Sequence, residues 1–193
     1  FLENFSINES FVKARLRSIC GMPVVEGADR IMDWINKEAS KFYPLFGTNL
    51  ANLEIKSLSV ENTSVPQNPF KLQNDEAKNI GFEIRDRANF WLGFYNEPRL
   101  IYTAPAFRLG PWKASNRRTV HIAIDIFADE GTELSAPLDG EVFTVEYRDN
   151  QLDYGGVIIL KHTTPSKDEF FTLYGHLDPV FLNKLKVGDK IAK

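Results

Sequence analysis

The spacing of hydrophobic positions changes period several times along the chain. Ser6-Ile7-Asn8-Glu9 has the capping-box form, and Phe11, Val12, Leu16 and Ile19 follow at helical spacing to a stop at Gly21. Ile31, Trp34, Ile35, Ala39 and Phe42 repeat that pattern up to Pro44, which cannot continue a helix. Two amphipathic helices packed on each other are predicted. Beyond Gly47-Thr48-Asn49 the pattern becomes extended, with Leu53, Ile55, Leu58 and Val60 as strand positions. Residues 61–78 are polar and broken by Pro66 and Pro69, which predicts a long loop and the best internal linker. Ile80, Phe82 and Ile84 then alternate, and the aromatic run 90–95 leads to a turn at Asn96-Glu97-Pro98 with Arg99 to Tyr102 as the return strand.

Period two is clearest between Thr119 and Leu177. Val120, Ile122, Ile124 and Ile126 alternate with His121, Ala123, Asp125 and Phe127, predicting one strand with a β-branched core face and an opposite face of imidazole, methyl and carboxylate. Asp129-Glu130-Gly131 is a turn signal, Leu134 to Pro137 a short edge segment, and Asp139-Gly140 a hairpin signal before Glu141 to Tyr147. The apolar run Val157 to Leu160 suits a central strand, and Phe170 to Tyr174 pairs back across a polar loop to give an antiparallel meander. Asp178-Pro179 caps a short helix predicted to reach Leu185. The fold class is therefore α+β, a helical N-terminal segment followed by a mainly antiparallel sheet domain.

Composition narrows the function classes without choosing one. A chain of 193 residues with 43% hydrophobic and 25% charged residues can bury a real core, and no apolar run suggests a membrane span. A net charge of -3 leaves no basic footprint for nucleic acid. The basic residues Arg108, Lys113, Arg117 and Arg118 belong to a solvated connection. Cys20 is alone, so no intrachain disulfide forms, and its apolar helical setting assigns it to the core.

All three histidines fall in the period-two region. Four residues along an extended strand span roughly 13 Å, so His121 and Asp125 reach one ion only if the strand bends between them, for which the small Ala123 leaves room. Both are suitable zinc ligands, but a catalytic zinc typically takes three protein ligands and a water. Spacing alone is equally met by a partly exposed strand face with a His–Asp hydrogen bond. His176 follows a strand, where Gly175 lets the backbone bend and present a proton-transfer side chain at the sheet rim. His162 ends the preceding strand and is assigned a structural role.

His121 and Asp125, then Gly131-Thr132, then Ala136-Pro137-Leu138-Asp139-Gly140-Glu141-Val142, and finally Tyr174-Gly175-His176-Leu177 resemble the motifs of the lysostaphin-like (LytM-type) zinc metallopeptidases in order and spacing. Those enzymes cleave peptide bonds in bacterial cell-wall peptidoglycan. The resemblance covers Arg118 to Lys193 and implies His121 and Asp125 as zinc ligands and His176 as the catalytic histidine. It implies a zinc cofactor, a peptide or peptidoglycan-like substrate and a lysostaphin-like sheet domain. Two departures stand out: Ala123 replaces a common Gly, and the family's closing His-x-His has no counterpart before Lys193. The site as given is then incomplete, and this chain alone is expected to hydrolyse negligibly. An inactive binding or scaffold module of a multidomain protein is the alternative.

Tyr95 to Phe107, with Leu152-Asp153-Tyr154-Gly155, are also similar to the middle region of large bacterial fusion proteins. There a peptidase-like domain lies between an aminoglycoside-phosphotransferase-like kinase domain and a pyridoxal-phosphate aminotransferase domain. That similarity implies neighbouring domains as partners and a cytoplasmic location, whereas the peptidase resemblance alone implies the cell envelope or secretion. Together with the abrupt ends at Phe1 and at Val187 to Lys193, it leads to the expectation of a fragment. The expected division is 1–46 helical, 47–104 a β-rich linking region and 105–193 a C-terminally truncated peptidase-like domain.

Overall fold

Strong alternation in the last third of the chain produces its largest element, a four-stranded antiparallel sheet. The computed structural model describes residues 25–47, 54–55, 91–93, 95–107 and 120–193. The strands are β1 (Glu54–Ile55), β2 (Trp91–Leu92), β3 (Glu97–Pro98), β4 (Val120–His121), β5 (Ile126–Phe127), β6 (Gly140–Arg148), β7 (Gly155–Thr163), β8 (Glu169–Leu177) and β9 (Lys190–Ile191). In the large sheet the order is β8-β7-β6-β9, so the apolar run Val157 to Leu160 lies on the inner strand β7, and β6, β7 and β8 form the expected meander. One face of this sheet is core: Val142, Ile158 and Leu160 are buried, with Leu182 of helix α2 (Pro179–Leu182) packed on them. The Asp178 side chain accepts a hydrogen bond from the Val180 N–H at 2.8 Å, as a good N-cap should. The helix itself ends at Leu182, short of Leu185.

The N-terminal helix α1 (Ala28–Glu38) is continued by a 3-10 turn, Ala39–Lys41. Ile31, Trp34 and Ile35 are its half-buried stripe, at the spacing the sequence predicts. The partner of that stripe is the sheet: Trp34 lies 6.0 Å from the Phe170 ring and 6.2 Å from Phe42. Arg30 donates to both Asp168 oxygens, at 3.0 and 2.5 Å, fixing the helix to the turn between β7 and β8. The expected helix through Phe11 and Ile19, Cys20, the loop 61–78, the strand at Ile80 to Ile84 and the basic residues Arg108, Lys113, Arg117 and Arg118 lie outside the described residues.

There are two further small sheets among the described residues, one of order β1-β2-β5 and one pairing β3 with β4. β1 and β2 run parallel, whereas β2–β5 and β3–β4 are antiparallel. They correct several expectations. The segment 120–127 is not one strand: β4 ends at His121 and β5 starts at Ile126, because the two halves pair with different partners. The corner between them turns Ile122 and Ile124 outward, 70% and 63% exposed, while His121 is buried at 7%. The face predicted as core is thus the outer one at this corner. Arg99 to Tyr102 is not a return strand; the extended pair is Glu97–Pro98, and Leu100–Thr103 coils into a 3-10 turn. Residues 134–136 form no strand, and Asp139-Gly140 is no hairpin, since Gly140 already begins β6.

The last correction concerns His176. It lies inside β8, and the left-handed backbone belongs to His176 itself, at φ 60, rather than to Gly175. The register steps from Ile158↔Tyr174 to Gly156↔Leu177, so Gly175 and His176 oppose Val157 alone in a β-bulge. Gly156 permits this close approach, because a Cβ there would overlap the Leu177 carbonyl.

Candidate functional site

The corner at 122–124 does what a straight strand cannot. It returns Asp125 to His121, bringing Oδ1 to 3.2 Å from Nε2. The imidazole is buried and the carboxylate half-buried, on the wall made by β4 and the chain entering β5. Gly93 closes the wall from β2: its N–H donates to the Asp125 carbonyl at 2.9 Å, and a Cβ on it would stand 3.2 Å from the Arg99 Nη2 and 3.3 Å from the Asp125 Cβ.

The segment 97–102 packs over the pair. Arg99 is buried between two carboxylates, its Nε donating to Glu97 Oε2 at 2.8 Å and its Nη1 to Asp125 Oδ2 at 2.6 Å. Tyr102 is 3% exposed and places its hydroxyl 2.8 Å from His121 Nδ1. The Arg99–Glu97 pair is buried on both sides, and removing one partner of such a pair is strongly destabilising. Burial pushes the Asp125 carboxyl upward, but the neighbouring His121 and the Arg99 guanidinium outweigh it and hold the pKa at about 2. For Arg99 burial works downward, and Asp125 and Glu97 overcome it to leave the guanidinium raised.

His121 Nε2 is buried and makes no hydrogen bond, although Asp125 Oδ1 is its neighbour. The pair therefore fits a cation held between its two donors. Two donors each about 2.0 to 2.1 Å from a tetrahedral zinc stand roughly 3.3 Å apart, close to the observed 3.2 Å. Their supports have the character of outer-shell partners, a hydroxyl on the other ring nitrogen and a guanidinium on the other carboxylate oxygen. Two donors are fewer than a catalytic zinc takes. Among the described residues no group of three or more His, Cys, Asp or Glu comes together to hold a metal ion.

The other two histidines separate cleanly. His162 is buried, donates from Nδ1 to the Asp139 carbonyl at 2.9 Å, and pairs through Nε2 with the Thr172 hydroxyl at 2.8 Å. Its ring stacks on Phe170, so it is structural, as its position at the strand end suggests. His176 is exposed on the β8 bulge, with its N–H donating to the Tyr154 carbonyl at 2.7 Å and its ring 6.4 Å from that of Tyr154. Among the described residues no hydrogen bond, ion pair or ring contact joins it to His121 or Asp125. Asn96, Leu152 and Lys167 share its positive φ, a conformation histidine visits more readily than most non-glycine residues.

Sequence reasoning passes over Glu97, Arg99 and Tyr102 as site residues. The signal available was a compact run of charged and aromatic residues around Pro98, which a strand assignment absorbed. No curated protein and no solved structure matches the chain. The family model of Peptidase family M23 matches residues 119–193, the stretch that carries His121, Asp125 and His176.

Proposed function

We propose that residues 119–193 form a zinc-dependent peptidase domain whose substrate is a peptide such as a peptidoglycan cross-link, with His121 and Asp125 as two of the zinc ligands and His176 as a proton-handling residue. The observation that carries this reading is the buried, unbonded Nε2 of His121 facing Asp125 Oδ1 at 3.2 Å. When bound, zinc polarises a scissile carbonyl and lowers the pKa of a coordinated water. In this chain His121 supplies a ring nitrogen fixed from behind by Tyr102, and Asp125 a carboxylate that stays ionised far into acid. His176, exposed on its bulge, is free to exchange a proton with a bound peptide. The third zinc ligand lies outside the described residues, in this chain or in a neighbouring domain of a larger polypeptide.

The test is zinc titration of the metal-free full-length polypeptide by calorimetry, with peptide hydrolysis followed in parallel. One zinc per chain is expected, lost in both His121→Ala and Asp125→Ala. Equal binding by the His121→Ala variant defeats the proposal.

One observation favours a second reading, a peptidase-like binding module without metal. Arg99 already neutralises Asp125 through Oδ2 and is itself balanced by Glu97. In that case the chain takes up no zinc, and binding of a peptidoglycan-derived peptide is unchanged by His121→Ala.

A further inference from the structure

Among the described residues, the side chains of other segments that bond to the His121–Asp125 pair come from upstream of the stretch matched by the peptidase family. Glu97, Arg99 and Tyr102 all precede residue 119, and the β3–β4 register, with Glu97 opposite His121, carries them over the pair. We infer that Tyr102 is a positioning residue for His121, seconded by Arg99 on Asp125, so that segment 97–102 sets the donor geometry that residues 119–193 present. The inference rests on the reading of the pair as metal-binding.

The argument begins with the proton on the imidazole. Asp125 Oδ1 stands 3.2 Å from Nε2 but out of line for an N–H bond, whereas the Tyr102 hydroxyl meets Nδ1 at 2.8 Å in hydrogen-bond geometry. The proton therefore sits on Nδ1 and is donated to the Tyr102 hydroxyl oxygen at 2.8 Å. That tautomer leaves Nε2 unprotonated beside Asp125 Oδ1, the state in which a ring nitrogen can accept a cation. Arg99 completes the arrangement by binding Oδ2 at 2.6 Å, which directs the other oxygen toward the imidazole.

Tyr102 is held firmly enough to impose this. Its backbone belongs to the 3-10 turn Leu100–Thr103, and its ring meets Phe107 edge-on at 4.9 Å. Phe107 packs in turn on Ala104, which is fully buried, with Ile101 and Leu152. The hydroxyl is thus aimed by a small apolar cluster that contains no site residue.

Tyr102→Phe removes the hydroxyl and keeps the ring. Nitrogen chemical shifts of His121 in the metal-free chain, at a pH where imidazole is neutral, report the tautomer; zinc affinity by chelator competition reports the consequence. Wild type should show the Nδ1–H form alone, Tyr102→Phe a shift toward Nε2–H, and zinc binding about 10- to 100-fold weaker. Phe107→Leu serves as the structural comparison: lower thermal stability, wild-type nitrogen shifts and wild-type zinc affinity. Wild-type shifts in Tyr102→Phe overturn the inference, as does an equal shift in Phe107→Leu. If the wild-type chain takes up no zinc the metal reading falls, and the nitrogen shifts alone then uphold or overturn the positioning role.

Discussion

Replacing Asp125 with asparagine isolates the largest electrostatic term at the corner. The substitution keeps the side-chain shape and removes the charge that faces Arg99 at 2.6 Å, leaving a guanidinium only 5% exposed with Glu97 as its remaining carboxylate. The size of the effect follows from the carboxyl's own titration, held at about 2 against an ordinary 3.8. By linkage that depression contributes roughly 2 kcal/mol to folding stability. The sign is that of a lowered acid: the contribution is complete above 3.8 and disappears as pH falls through about 2, where Asp125 becomes protonated in the folded state. Urea unfolding of both proteins, with a chelator present to keep metal out of the balance, measures the difference at each pH. Asp125→Asn should be less stable by about 2 kcal/mol from neutrality down to the upper edge of that window, with the gap closing across it. An asparagine variant as stable as wild type at neutral pH, or a gap that persists unchanged below the window, refutes the reasoning.

Two further outcomes test the bulge that carries His176. Gly156→Ala places a methyl group against the Leu177 carbonyl and 2.9 Å from Leu182 Cδ1; overpacking against backbone should cost about 3 kcal/mol, read as a clear fall in Tm, and an unshifted Tm would show that the close approach is not as described. His176→Gly relieves a left-handed residue at φ 60. Since that conformation costs roughly 1 to 2 kcal/mol and glycine gives back part of it through its looser unfolded chain, the variant should gain about 0.5 kcal/mol in urea while losing any peptide hydrolysis. A loss of stability instead would mean that the imidazole supports the fold.

Local patterns alone determined a good deal of this protein. The half-buried stripe of α1, the apolar inner strand β7, the meander of β6 to β8 and the Asp178 cap follow from side-chain periodicity and capping chemistry, which act over a few residues and need no partner to be recognised. The His121–Asp125 pair was legible too, as types and spacing. The tertiary structure decided everything that depended on what each strand pairs with. His121 and Asp125 meet because β4 and β5 join different partners and force a corner, and the same corner exposes Ile122 and Ile124, whose alternation had marked them as core. Tyr102 reaches His121 across 19 residues of chain, and Arg99 reaches Asp125 across a comparable stretch, so neither leaves a local trace. His176 owes its backbone to a mismatch in register between β7 and β8 that only their pairing creates. Periodicity tells which side chains share a face of one segment; which faces meet, and which atoms are left buried without a partner, is set by long-range pairing.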